Sequence, residues 1–274
     1  MATPLSDLIA KYPKLADIDD ISVLMKALSR EMNMSLAQIV AELPEEEQEI
    51  VLEGTDPDIL IYDWKFWGRP SQIPPDDRDW SVFAMVAGRG AGKTRAGAEW
   101  VQDMAMTHPG CRIALVARTA ADVRDVMVNG ESGIMFIGDP NNRPVYQPTN
   151  RLLKWSNGSI AMTYSAEEPD QLRGPQFHYA WADEAAAWKH NIDDSGLSTW
   201  DNLEIATRLG DNPRKFITTT PKRTKFMFDL IAREQEKEQG VIITRGSTME
   251  NAGNLGEVYL SRMKALYDGT RLAQ

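Results

Sequence analysis

Residues 82–106 read VFAMVAGRGAGKTRAGAEWVQDMAM, and this stretch decides the fold. Val82–Ala87 is an apolar run of strand length, and a helical pattern begins near Thr94. The glycines between them allow successive backbone N–H groups to face one point, and a helix that starts there adds the positive end of its dipole. The stretch therefore predicts a phosphate-binding loop between a strand and a helix.

The loop residues have separate expected roles. Lys93 is expected to reach the β- and γ-phosphates of a bound nucleotide, and the Thr94 hydroxyl to hold Mg²⁺. Ala87 stands where the strict pattern has its first glycine, and its small side chain is expected to fit. The predicted nucleotide-binding residues are Gly88, Arg89, Gly90, Ala91, Gly92, Lys93 and Thr94. A glycine-rich turn without a nucleotide is the alternative, and the motif, strand and helix together argue against it.

Two acids end a second apolar run, Tyr179–Ala182, about 90 residues after the loop. At the carboxyl edge of a parallel sheet, Asp183 is expected to bind Mg²⁺ through water. Glu184 is expected to act as the general base toward the attacking water. An Asp-Glu pair alone is weak evidence because surface acids are common, and the phosphate-binding loop gives it weight.

A third apolar run, Phe216–Thr219, ends in a row of hydroxyls formed by Thr218, Thr219 and Thr220. A hydroxyl at the end of a strand could lie near the γ-phosphate and respond to its loss. Threonine also favours strands in general, so the row alone predicts little.

Strand and helix patterns alternate after residue 80. The other predicted strands are Ile113–Ala117, Ile160–Tyr164 and Val241–Thr244, and the predicted helices lie around 94–106, 120–128, 200–208, 225–238 and 257–266. Leu152–Trp155 and Ser159–Tyr164 flank an Asn-Gly pair and predict a hairpin. The alternation predicts an α/β protein with a mostly parallel sheet flanked by helices.

The 274 residues include 40 acids and 30 bases, a formal net charge of −10, which argues against a surface that is basic all over. Residues 1–60 hold 13 acids and 4 bases, whereas residues 61–274 hold 27 and 26. For the acidic N-terminal helices, this charge favours a small helical subdomain over a helix-turn-helix DNA reader. The chain has one cysteine and so no internal disulfide, and no apolar run approaches the ~18 residues of a membrane helix.

The loop alone does not choose between classes of nucleotide-binding protein. The guanine-reading Asn-Lys-x-Asp motif is absent from the sequence, which disfavours a GTPase. A general base directly after Asp183 favours a hydrolase that drives motion over a small-molecule kinase. Only 54 residues follow Thr220, too few for the second lobe of a helicase. A superfamily-2-like helicase or translocase fragment and a binding module that uses nucleotide as a switch remain alternatives.

Five segments in this order together resemble the large terminase subunit of tailed bacteriophages. They are WKFWGRPSQIPP at 64–75, AGRGAGKTRAGAEWV at 87–101, RTAADVRDVM at 118–127, QLRGPQFHYAWADEAAAW at 171–188 and TTTPK at 218–222. The resemblance implies a P-loop NTPase of the additional-strand (ASCE) type. It also implies a motor that hydrolyses ATP to move double-stranded DNA through the portal into the procapsid.

The resemblance further implies roles for single residues. Arg69 and Gln72 fall in the stretch that contacts adenine, and Arg89 matches an arginine used on the γ-phosphate. Arg173 matches an arginine finger supplied by the adjacent subunit of a ring, and a surface salt bridge is the less favoured alternative. Thr218–Thr220 matches the motif that couples hydrolysis to movement.

The resemblance implies partners and a division of the chain as well. The partners are double-stranded DNA bound without sequence specificity, the portal protein, the small terminase subunit and further copies of the chain in a ring. The expected location is the host cytoplasm, transiently at the procapsid portal, with no membrane. We expect an acidic helical segment at 1–60, an ATPase core at 61–245 and a lid or linker at 246–274. This linker would lead to a C-terminal nuclease domain that the chain lacks, so nuclease activity is not expected.

The sequence also has five bases in the twelve residues 214–225, namely Arg214, Lys215, Lys222, Arg223 and Lys225. They either form a patch that contacts DNA phosphates or are solvated charges beside a strand, and the sequence favours neither interpretation.

Overall fold

The computed structural model of the chain describes residues 2–236, 240–254, 256 and 261. Two compact units are formed, one by residues 2–77 and 138–143 and the other by residues 78–137 and 144 onward. The predicted helix near 257–266 falls almost wholly outside the described residues. None of the helices in the described ranges is long and apolar enough to cross a membrane. The predicted division of the chain at residues 60 and 245 stays a prediction.

The first unit is helical. Its helices are α1 Leu5–Lys11, α2 Ile21–Met32, α3 Leu36–Glu42, α4 Glu45–Leu52, α5 Pro57–Leu60 and α6 Trp64–Trp67. Ser35 and Gln38 form a capping box at the start of α3, which satisfies two backbone N–H groups at the end of the helix. Leu28 and Ile39 are fully buried and share a core with Phe66 of α6.

The second unit contains a sheet with helices. In the described ranges its strands are β1 Val82–Ala87, β2 Arg112–Ala117, β3 Val145–Gln147, β4 Leu152–Lys154, β5 Ile160–Ser165, β6 Tyr179–Asp183, β7 Arg214–Thr219 and β8 Val241–Gly246. They pair in the order β3-β4-β5-β2-β6-β7-β1-β8. The β3-β4 and β4-β5 pairs are antiparallel and all the others are parallel.

This order confirms the predicted mostly parallel α/β fold. It also identifies the additional strand, because β7 lies between β1, which precedes the phosphate-binding loop, and β6, which ends in Asp183. All six residues of β1 are buried, which explains why this strand reads as a continuous apolar run.

The helices of the second unit follow the predicted pattern with one difference. Within the described ranges its α-helices are α7 Lys93–Thr107, α8 Ala120–Asp122, α9 Thr199–Ala206 and α10 Lys225–Gln235. The helix predicted at 120–128 is α8 followed by a π-helical stretch, Val123–Val128. Short loops at the carboxyl edge of the sheet connect β1 to α7 and β2 to α8.

Candidate active site

The loop after β1 turns at two glycines with positive φ. Gly90 has φ 75° and Gly92 has φ 84°, a region that residues with a Cβ rarely adopt. Gly92 is also the N-cap of α7, so the helix begins where the loop ends. This geometry agrees with the predicted cradle for phosphate groups.

Lys93, the first residue of α7, is buried and turns back over the loop. Its Nζ donates to the carbonyl oxygens of Ala87 at 3.1 Å and of Gly88 at 3.0 Å. The same nitrogen lies 3.5 Å from Oε1 of Glu184. The structure thus brings together the lysine and the predicted general base, which are 91 positions apart in the sequence.

Asp183 ends β6 and is 6% exposed. Its Oδ1 accepts a 2.6 Å hydrogen bond from the Thr218 hydroxyl, which in turn accepts one from Trp181 Nε1 at 2.8 Å. Because an indole N–H can only donate, the Thr218 proton is left for the carboxylate. Burial raises the pKa of Asp183 to about 6, and the Thr218 hydrogen bond opposes that rise.

Glu184 has a left-handed backbone, with φ 49°, and its carboxylate is held by Thr220. The Thr220 N–H donates to Oε2 at 3.0 Å and its hydroxyl donates to Oε1 at 2.9 Å. Thr219 accepts from the N–H of Ala186 at 3.1 Å. All three threonines of the row therefore bond to the segment that begins with Asp183, and Thr218 and Thr219 are fully buried.

The residues predicted to hold Mg²⁺ fit a hard cation. Among the described residues, none donates to Asp183 Oδ2, and the Thr94 hydroxyl makes no hydrogen bond. Carboxylate and hydroxyl oxygens are ligands that Mg²⁺ accepts, usually together with water and substrate phosphates.

The predicted arginines have different surroundings. Arg89 is exposed and its side chain has no hydrogen bond or ion pair within the described ranges. Arg173 Nη1 lies 3.3 Å from Asp170 Oδ1, and its Nε lies 3.8 Å from Oδ2 of the buried Asp193. Hydrogen bonds from Ser195 and other groups hold the pKa of Asp193 well below its usual range. Arg173 therefore pairs within its own chain, and its role at a neighbouring nucleotide stays a prediction.

Arg69 and Gln72 belong to the first unit and are both buried. The Arg69 N–H donates to Gln72 Oε1 at 3.0 Å, so the two residues form one local turn. Their role in contacting adenine stays a prediction.

The five bases at 214–225 do not form one patch. β7 begins at Arg214, two residues before the predicted start, so Arg214 and Lys215 lie at its amino end. The other three bases follow its carboxyl end. Lys215 is buried, which lowers its pKa, and the Arg214 guanidinium lies 4.7 Å from the Trp80 ring centre. Of the five, Lys222, Arg223 and Lys225 are exposed and could meet DNA phosphates.

Two residues that the sequence analysis missed contact the loop. Thr248 Oγ1 donates to the Arg89 carbonyl at 2.7 Å, and Asn251 Nδ2 donates to the Gly90 carbonyl at 2.7 Å. Both lie just after β8. Ser247 and Glu250 form a capping-box pair at this point, a pattern that is readable in the sequence as a helix start. The sequence does not show that this helix start lies beside the loop, because that position depends on the strand order.

Comparison with solved structures shows the same fold in phage proteins. The large terminase from a thermophilic bacteriophage, in complex with ADP, aligns at a TM-score of 0.57 and 15% identity, over 77% of this chain and 49% of that one. Its complex with ATP-gamma-S aligns at 0.54 and 13%, over 77% and 49%. The large terminase ATPase domain of Thermus phage P74-26 aligns at 0.50 and 14%, over 82% and 93%. The chain thus spans about half the length of the first of these terminases.

No curated protein matches the chain in sequence. The family described as terminase large subunit, T4likevirus-type, N-terminal, matches residues 84–274, which is more than half of the chain. The match includes the loop, Asp183, Glu184 and the threonine row, and it confirms the resemblance drawn from the sequence. The chain therefore belongs to the T4likevirus-type large terminase subunits and contains their N-terminal region.

Proposed function

We propose that the chain is the ATP-hydrolysing motor domain of a viral DNA-packaging terminase. The observation that supports it most is the group formed by Lys93, Asp183, Glu184 and Thr220 at the carboxyl edge of the sheet. ATP would be cleaved by water to ADP and inorganic phosphate. The motor would use this energy to move double-stranded DNA through the portal into the procapsid.

Lys93 and Glu184 are proposed to exchange partners when ATP binds. Lysine has three N–H donors, and two loop carbonyls and Glu184 surround Nζ. A γ-phosphate would compete with Glu184 for this ammonium group. The freed carboxylate, still oriented by Thr220, would accept the proton of the water that attacks the γ-phosphorus.

Asp183 and Thr94 are the proposed holders of Mg²⁺. When bound, the ion neutralises charge on the β- and γ-phosphates. Thr218 fixes the rotation of the Asp183 carboxylate, so that Oδ2 is left for a ligand. Since Thr218 lies in β7 and Thr220 directly follows that strand, we propose that the row links the state of the two acids to movement of β7.

The remaining assignments rest on the family. Arg89 would face the γ-phosphate from its own loop, Arg173 would reach the nucleotide of a neighbouring subunit in a ring, and Arg69 and Gln72 would contact adenine. DNA phosphates, the portal protein and the small terminase subunit are the proposed partners. The proposed location is the host cytoplasm, at the portal of the procapsid.

The test measures phosphate release and ADP binding for wild type and three variants. Lys93→Ala should lose both binding and turnover. Glu184→Gln should keep ADP binding and lose turnover by about 100-fold or more, the usual range for a general base. Thr220→Val should lower kcat with little change in ADP affinity. The reason is that, among the described residues predicted to be catalytic, Thr220 contacts only Glu184, the general base.

Several outcomes would contradict the proposal. Unchanged hydrolysis in Lys93→Ala or Glu184→Gln would remove the ATPase assignment. Slow turnover that neither double-stranded DNA nor protein concentration affects would favour a nucleotide switch. Strand displacement by the chain alone would favour a helicase.

A further inference from the structure

We infer that Thr248 and Asn251 are positioning residues of the nucleotide site, which hold the loop in the form that accepts a diphosphate. They follow the loop carbonyls that they contact by 159 and 161 residues. The inference rests on the proposed nucleotide-binding function and adds to it two residues whose side chains bond the backbone of the loop.

The sheet explains how this segment reaches the loop. β8 pairs in parallel with β1, and the register ends with Gly246 beside Ala87. The pairing continues for one more hydrogen bond, from the Gly88 N–H to the Gly246 carbonyl at 3.2 Å. Residues 247–251 therefore leave β8 directly alongside residues 88–90. The Ser247 and Glu250 capping pair fixes the turn that follows.

The carbonyls of residues 87–90 all accept hydrogen bonds from side chains. A loop that binds phosphate through its N–H groups must satisfy its carbonyl groups elsewhere. Lys93 donates to the carbonyls of residues 87 and 88, Thr248 donates to that of Arg89, and Asn251 donates to that of Gly90. Four successive carbonyls are thus bonded by side chains, which keeps the loop curled without a ligand.

The orientation of the Asn251 amide is also fixed. Asn254 Nδ2 donates to Asn251 Oδ1 at 3.0 Å, so Asn251 directs its NH₂ group to Gly90. This pairing gives the amide one arrangement in which both of its ends are satisfied.

The space around Gly88 shows how closely Thr248 approaches the loop. A Cβ on Gly88 would lie 2.6 Å from Thr248 Oγ1, but 3.4 Å from its backbone nitrogen and 3.8 Å from its Cβ. The hydroxyl alone therefore excludes a side chain at residue 88. The position of the Thr248 hydroxyl and the glycine at residue 88 are thus complementary.

The test compares Thr248→Val, which keeps the shape and loses the donor, with Thr248→Ser, which keeps the donor. The measurements are the dissociation constant for ADP with Mg²⁺ by titration calorimetry, and KM and kcat for ATP. Loss of one hydrogen bond predicts that Thr248→Val and Asn251→Ala each weaken ADP binding and raise KM by about threefold to tenfold. The value of kcat should change less than about twofold, and Thr248→Ser should restore the wild-type affinity.

Thr107→Val is the matched control. Thr107 also donates to a backbone carbonyl, that of Asp103 at 2.6 Å, but at the far end of α7. Equal effects of Thr107→Val and Thr248→Val on ADP binding would overturn the inference. So would unchanged ADP binding in both Thr248→Val and Asn251→Ala when the wild type binds ADP.

A second measurement needs no nucleotide. Gly88→Ala should lower Tm in the wild type and lower it less in a Thr248→Ala background, because that change removes the colliding hydroxyl. Equal losses in both backgrounds would refute the close contact. A wild type that binds no ADP would instead overturn the proposed function, whatever the result of this cycle.

Discussion

Replacing Gly97 by alanine should destabilise the protein, although alanine is the better helix former. Gly97 lies inside α7, where alanine is normally favoured by about 1 kcal/mol over glycine. A Cβ at this position would lie 2.1 Å from Cε2 of Trp181, and 2.4 Å from its Cζ2 and Nε1. Trp181 is fully buried and therefore has little room to retreat.

The steric cost exceeds the helix preference for alanine by enough to decide that Gly97→Ala lowers stability. Carbon atoms pack best at about 3.5–4.0 Å, so the new methyl group would overlap three ring atoms by more than 1 Å. Overpacking of buried sites costs about 1–3 kcal/mol, and the number of overlapping atoms puts this site at the upper end. After subtraction of the helix preference, a loss of about 2 kcal/mol remains. At about 2–4 °C per kcal/mol, Tm should fall by about 4–8 °C.

Thermal unfolding followed by circular dichroism measures the shift. Gly253→Ala is the control, because a Cβ there meets nothing within 4 Å. The Trp181→Phe background tests the cause, since phenylalanine lacks the pyrrole edge that carries Nε1, and Gly97→Ala should cost less there. An increase of Tm in Gly97→Ala, or an equal loss in both backgrounds, would show that the indole is not the obstacle.

Two further predictions concern charged groups. Mixing an Arg173→Ala chain with a Glu184→Ala chain should restore part of the hydrolysis if the arginine acts between subunits, and no recovery at high protein concentration would refute that role. Burial raises the pKa of Glu99 above its ordinary value of 4.5, against the opposing effect of Arg95, so the folded state binds this proton more tightly than the unfolded chain does. The contribution of Glu99 to stability should therefore fall as pH rises from about 4.5 toward neutrality. In urea unfolding, the slope of the free energy of unfolding against pH should be more negative in the wild type than in Glu99→Gln. An identical slope in both proteins would contradict the raised pKa.

The loop and its two flanking elements could be predicted because their cause is local. Val82–Ala87 has the same limits in the sequence and in the structure, since every residue of a central parallel strand is apolar and buried. The glycines at 90 and 92 mark the turn because few other residues adopt their backbone angles. Asp183 and Glu184 were predicted together for a related reason, since both follow a buried strand.

Contacts between distant segments could not be predicted because they depend on the strand order. Trp181 reads as an apolar core residue, and its N–H matters only because β7 places Thr218 beside it. Thr248 reads as part of a polar tail, and it reaches Arg89 only because β8 pairs with β1. The five bases at 214–225 are the opposite case, in which the sequence suggests a proximity that the structure does not have. They are close in sequence, and a strand of six residues separates them by roughly 20 Å.

The strand order also bears on how Arg173 could act. The residue follows β5, which lies four steps from β1 in the order β5-β2-β6-β7-β1, roughly 19 Å at ~4.8 Å per step. Its guanidinium is held by Asp170, just after β5, and by Asp193, which follows β6. To reach the loop of its own chain, Arg173 would have to leave both carboxylates and cross the distance from β5 past β2, β6 and β7 to β1. A nucleotide held by a neighbouring copy would not require Arg173 to cross the sheet of its own chain. The mixing experiment tests this difference, whereas a single variant does not. Loss of activity in Arg173→Ala alone could equally arise from the uncompensated charge of the buried Asp193.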